Sequence, residues 1–236
     1  MYLDVVELRN YYNSPLGRVT ARLIRRKIRE LWPDVRGLTV LGLGYATPFL
    51  NPIGNQAIRT IALMPARQGV VHWPRREANL ASLVDETVIP LPDASVDRLV
   101  LVHSLEHSQQ VRTLLREIWR VLRAGGRLGI VVPNRSGIWA RLDRTPFGHG
   151  RPYSAPQLTH LLADCMFTPL RWQSALYMPP SDKRVMLRAL NGLEPLGERL
   201  WRSFAGVLIV EAEKRIYAAK TKRHPARVKQ PAFIPR

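Results

Sequence analysis

Apolar positions along the 236-residue chain alternate between two rhythms, and the alternation itself predicts the architecture. Over residues 3–31, Leu16, Val19, Leu23, Ile24, Ile28 and Leu31 recur at helical spacing, which predicts one amphipathic helix closed by Trp32-Pro33. A short uninterrupted apolar run at 39–43 reads as a buried strand. The segment after it is broken by Pro48, Pro52 and Gly54 and holds at most a short helix through about residue 58. Further strands are expected at 59–64, stopped by Pro65, and at 81–84, with mostly loop between them. A fourth strand at 98–103 is too uniformly apolar for a half-exposed sheet. Residues 108–122 form an amphipathic helix, with Val111, Leu114, Leu115, Ile118, Val121 and Leu122 on one face and a helix-ending Ala124-Gly125-Gly126 behind it. A strand at 127–132, a helix at 155–164 with Ser154 as its cap and Pro156 at its start, a strand near 170–176, a helix near 183–190 and a strand near 206–211 complete the pattern.

Strands alternating with helices argue for an α/β fold, a mostly parallel sheet with helices on both faces. Such sheets bind ligands beyond the carboxyl ends of their strands, near the point where strand order reverses. The expected division is a helical extension over 1–35, one α/β domain over 36–213 and a basic, disordered tail over 214–236. Three prolines, Pro225, Pro231 and Pro235, interrupt any regular structure in that tail.

Composition narrows the classes. The single cysteine, Cys165, supports neither an internal disulfide nor a cysteine metal cluster, and a cytoplasmic location is the simple reading. No apolar run of about 18 residues predicts a transmembrane segment. The 36 Lys and Arg against 18 Asp and Glu give a formal charge of +18, of which +10 remains without residues 214–236. That field favours a nucleic acid, an acidic protein or anionic lipid as partner; a uniformly arginine-rich lineage explains it without any partner. Arg18, Arg22, Arg25 and Arg29 recur along the polar face of the first helix, as an ordinary solvated face or as an anion-binding stripe.

The chemistry-bearing segments sit where strands end. Val40-Leu41-Gly42-Leu43-Gly44-Tyr45-Ala46-Thr47 runs from strand into a small-residue turn. Leu91-Pro92-Asp93-Ala94-Ser95-Val96-Asp97 leads through the fourth strand to His103-Ser104-Leu105-Glu106-His107, and Leu115-Arg116-Glu117-Ile118-Trp119-Arg120-Val121-Leu122 leads to Gly125-Gly126-Arg127-Leu128. In this order and spacing the three stretches resemble the class I, Rossmann-like S-adenosylmethionine (SAM) methyltransferases of the small-molecule type. The resemblance spans about residues 36–135 and implies a seven-stranded, mostly parallel sheet, SAM as cofactor, and a cofactor site formed by Gly42, Gly44, Tyr45, Ala46, Met64, Asp85 and Glu86. The first motif is degenerate. Gly42 replaces the usual acid, Ala46 the second glycine and Pro48 the third. Met64 or Pro65 stands where relatives carry the acid that grips the ribose, and Gln68 is the substitute within reach.

His103, just past the fourth strand, is the candidate base or substrate contact. His107, and Arg144, His149, Arg151 and Tyr153 from the segment covering the fifth strand, are candidates for holding an acidic substrate. Glu106 and His107 are equally suited to fixing their loop. His72 and Trp73 are candidates for flanking the adenine, with a packed aromatic as the plainer account. His103 and His107 stand four apart, like a helical zinc pair, but no matching third-ligand pattern accompanies them, so no metal is assigned. Three functions remain in view: a SAM-dependent methyltransferase acting on a small or acidic molecule, a methyltransferase acting on RNA, and a non-catalytic relative that binds a partner through basic surfaces.

Overall fold

The computed structural model describes residues 2–181, 183, 194, 197–199 and 204–216. The chain forms α1 (Val5–Asn13), α2 (Pro15–Leu31), β1 (Thr39–Gly44), α3 (Thr47–Gly54), β2 (Arg59–Pro65), β3 (Ala81–Val84), β4 (Val96–Val102), α4 (Val111–Val121), β5 (Leu122–Pro133), two short 3-10 turns, α5 (Ala155–Asp164), β6 (Phe167–Ala175) and β7 (Val207–Lys214). The seven strands lie in the order β3-β2-β1-β4-β5-β7-β6. The first five run parallel, while β7 is antiparallel to both β5 and β6. Strand order reverses between β1 and β4, so the switch point lies above the Gly44 turn.

Alternation along each strand sends side chains into two cores. Val40, Val100, Val102 and Ile209 pack with α1, α2 and α3 on one face. Leu41, Leu43, Leu99, Leu101, Ile130 and Val210 pack with α4 and α5 on the other. On α4, Leu114, Leu115, Ile118 and Val121 are all buried, each burial worth about 1.5–3 kcal/mol relative to exposure.

β4, β6 and β7 run up to three residues beyond their expected ends, and three further differences from the sequence reading stand out. The expected single helix over 3–31 is two helices. Pro15 disfavours helical backbone in Ser14, which is extended at ψ 161°, and the Ser14 hydroxyl accepts a hydrogen bond from the Gly17 amide to start α2. The α4 helix begins at Val111 rather than 108, because Ser108 is held by Glu86 at 2.8 Å and its hydroxyl accepts from the Gln110 amide. β5 begins at Leu122, with no break after α4. The Ala124-Gly125-Gly126 segment lies within that strand, Gly125 at φ +69°, and Leu122 pairs with Val96. α5 spans 155–164 as expected, with a complete capping box between Ser154 and Gln157. The helix expected near 183–190 and most of the basic tail lie outside the described residues.

No helix among the described residues is long and apolar enough to cross a membrane.

Candidate functional site

The carboxyl ends of β1, β2, β3 and β4 meet at the switch point, and the N-terminal segment lies across all four. Tyr2 reaches beyond β3, where its hydroxyl donates to Glu86, and its ring lies 5.5 Å from that of His107. The Val5 amide donates to the Gln68 carbonyl beyond β2 at 2.8 Å. Tyr12 stacks on Tyr45 beyond β1, with centroids 5.6 Å apart and planes 16° from parallel. Its hydroxyl meets His103 Nε2 beyond β4 at 2.7 Å.

The turn after β1 is tight because the chain packs on itself. Gly44 stands at φ +83°, and a Cβ there would strike the Val102 carbonyl and the Ser104 side chain. The Tyr45 amide is committed to the Val102 carbonyl at 2.9 Å. At Gly42 a Cβ would lie 2.6 Å from Leu50 Cδ1 and 2.7 Å from Ala46 Cβ, so the family's acid has no room. Tyr45, Ala46 and Met64 are buried. β2 ends at Pro65, with no acceptor side chain at either candidate ribose position.

Gln68 enters the cleft as the sequence suggested, yet its amide nitrogen donates to the His103 carbonyl at 2.9 Å. Asp85 is exposed and closes its own turn, accepting from the Thr87 amide and hydroxyl at 2.9 and 2.7 Å. Those bonds hold its carboxyl below the usual carboxylate range. Glu86 is held between Tyr2 and Ser108.

His103 is fully buried at φ +51°, between Tyr12 on Nε2 and Glu106 on Nδ1, the latter at 3.2 Å. Burial pushes the Glu106 carboxyl up, but its hydrogen bond to His103 and the nearby charges of His103 and His107 outweigh that, and the net shift is downward. An ionised Glu106 is suited to orient the His103 ring from Nδ1. His103, Glu106 and His107 bring ligand atoms within 4.8 Å of one another. Both ring nitrogens of His103 are nevertheless already hydrogen-bonded. Glu106 also fixes its loop, its carbonyl accepting from the Arg151 amide at 2.8 Å.

The expected substrate-holding residues do not converge. Phe147, between the two halves of that segment, is buried with its ring 4.9 Å from His103. Arg144 is exposed, and His149 Nε2 is paired with the Asp143 carbonyl at 2.9 Å. Arg151 and Tyr153 share a separate cavity of about 520 Å³ with Gln109 and Arg112. Trp73 is a packed aromatic, its Nε1 donating to Asn51 at 2.9 Å, and His72 is exposed. Tyr2, Tyr12 and Phe147 are the site residues that sequence reasoning missed. The only signal was the density of aromatics, Tyr2, Tyr11 and Tyr12, at the start of the chain.

Residues 42–130 match the model of a methyltransferase domain. A protein of Mycobacterium tuberculosis named "Probable S-adenosylmethionine-dependent methyltransferase" is 36% identical over 132 residues, covering 53% of this chain and 46% of the relative. A similarly named protein of Mycolicibacterium smegmatis is 34% identical over 137 residues, covering 53% and 49%. The chain thus spans about half the length of the curated relatives it matches. In fold it is similar to a SAM-dependent methyltransferase from Thermotoga maritima, with a TM-score of 0.64 at 16% identity over 89% of this chain and 96% of that one. With the matched domain, the sheet order and the two long motifs in agreement, residues 42–130 carry a methyltransferase domain, set on the class I, Rossmann-like SAM-methyltransferase fold.

Proposed function

We propose that this chain is a SAM-dependent methyltransferase acting on a small or acidic molecule, and that its N-terminal segment stands in the cofactor cleft in the conformation described. SAM is the cofactor of the family. The residues as arranged do not fit it. Tyr12, Tyr45 and Met64 fill the hollow above β1, no side-chain acceptor stands at the end of β2, and the cavity beyond the ends of β2 and β3, on the side where the ribose and adenine would lie, holds about 170 Å³. Ligand sites of this kind usually occupy about 300–1,000 Å³.

The observation that carries the reading is a set of buried polar atoms without partners among the described residues: Gln68 Oε1, Ser104 Oγ and Glu106 Oε2. They belong to the loops after β2 and β4, on either side of the switch point. An unsatisfied buried group costs about 1–3 kcal/mol, and a polar ligand entering as Tyr12 withdraws supplies what they lack. Withdrawal also frees His103 Nε2 to take a proton from an acceptor group, with Glu106 holding the ring from Nδ1.

Calorimetry with S-adenosylhomocysteine on the wild type and on Tyr12→Ala tests this. The reading expects at least tenfold tighter binding by the variant. If neither protein binds, the enzyme reading fails. The non-catalytic alternative then stands on the Tyr12–His103 hydrogen bond and on the missing ribose acceptor, which together make the hollow part of the core.

A further inference from the structure

We infer that the arginine-lined groove between the N-terminal helices and α3 binds a small organic phosphate. The groove encloses about 920 Å³. Arg9 from α1, Arg18, Arg22 and Arg25 from α2, and His72 and Arg75 from the segment after β2 line it, and no acid among the described residues does. Three of the four arginines striped along α2 therefore turn into one concavity, joined by Arg9 from α1 and Arg75 from the segment after β2. A solvated helix face does not recruit cations from elsewhere in the chain.

These five arginines make no ion pair among the described residues, whereas Arg120, Arg123 and Arg171 are each matched by acids. Arg25 is pre-positioned, donating from Nε and Nη2 to the Pro48 carbonyl at 3.1 and 2.7 Å. Burial, and then the charges of Arg29 and Arg22, lower its pKa, as expected where cations are gathered without counter-charge. A multiply charged anion relieves that repulsion. Planar guanidinium groups match phosphate oxygens in pairs, and several arginines can be used by a phosphate where a single carboxylate offers two oxygens. The remaining wall mixes the polar Asn13, Thr47 and Asn51 with an apolar and aromatic part, Tyr12 stacked on Tyr45 beside Val70 and Trp73. The aromatic part of that wall suits a ligand with an aromatic body attached to its phosphate. The lining includes neither Gly44 nor His103 but does include Tyr12, so the groove belongs to the conformation in which the N-terminal segment covers the cleft, and the inference does not require SAM to bind.

Calorimetry with phenyl phosphate and with inorganic pyrophosphate tests it, at a fixed moderate salt concentration. One-to-one binding of phenyl phosphate, tighter than that of pyrophosphate, is expected. The double variant Arg22→Ala/Arg75→Ala weakens it at least tenfold, while Arg116→Ala/Arg141→Ala, which changes two exposed arginines outside the groove, leaves it unaltered. Circular dichroism of both variants confirms that they fold. An equal loss in the two double variants would reduce the effect to diffuse charge and overturn the site. So would absence of binding, or arginine-dependent binding of single-stranded RNA without either small anion. Pyrophosphate binding more tightly than phenyl phosphate would overturn the organic body.

Discussion

Leu50 and Ala46 occupy the space that a side chain at residue 42 would need. The absence of the family's acid at Gly42 is therefore a packed feature of the β1–α3 contact. Gly42→Asp is expected to destabilise the fold by about 1–3 kcal/mol, as overpacking does, and to leave S-adenosylhomocysteine affinity unimproved. Urea denaturation measures the first and calorimetry the second; an unchanged midpoint with tighter binding would refute the packing argument. Residues of the first motif were legible in sequence because Gly44 and its neighbours are local to one turn. Tyr12 was not, because its partners Tyr45 and His103 lie far along the chain and nothing within α1 marks it out. Gln68 was legible as a residue within reach of the cleft, but not the carbonyl it reaches.

At the scale of elements, the sequence carried the order of strands and helices, and its errors fall where side chains override backbone propensity. Ser14 divides the first helical region, allowing α1 to lie over the strand ends while α2 packs beneath α3 and the sheet. A continuous helical period of apolar residues does not reveal such a break, although Ser-Pro is a signal for one. α5 was read to its exact bounds because its cap is chemical: Ser154 accepts from the Gln157 amide while Gln157 reaches back to the Ser154 amide. Ser154→Ala is expected to cost about 0.5–2 kcal/mol. A thermal melt showing no loss would mean that tertiary packing alone fixes the helix start.

For the molecule as a whole, the cleft sets the behaviour at high pH. Burial pushes the Tyr45 phenol up to about 12, and burial first also raises Tyr12 and Tyr2, Tyr2 further through Glu86. These groups lose their protons more readily in the unfolded chain. The stability they contribute is intact below pH about 10, where the free phenol titrates, and is lost as pH rises through the folded values. Ultraviolet titration of phenolate should show these three cleft tyrosines, with Tyr153, which burial also raises, ionising late and together with loss of near-ultraviolet circular dichroism. Early, non-cooperative ionisation of all seven tyrosines would show the cleft to be open. Net charge was legible from composition, but its arrangement was not: the groove takes arginines from three separate segments, and only folding brings them together.

β6 borders no strand except β7, and β7 separates it from β5. A nascent chain emerging from the ribosome can therefore zip up the five parallel strands, yet it must leave β6 waiting until residues 207–214 arrive between the two. Until then the open flank of β5 presents bare amides and carbonyls beside apolar side chains, an invitation to pair with another copy. The last described strand is thus the keystone of the sheet, and the interval before it is laid is when this protein is most exposed to misassembly.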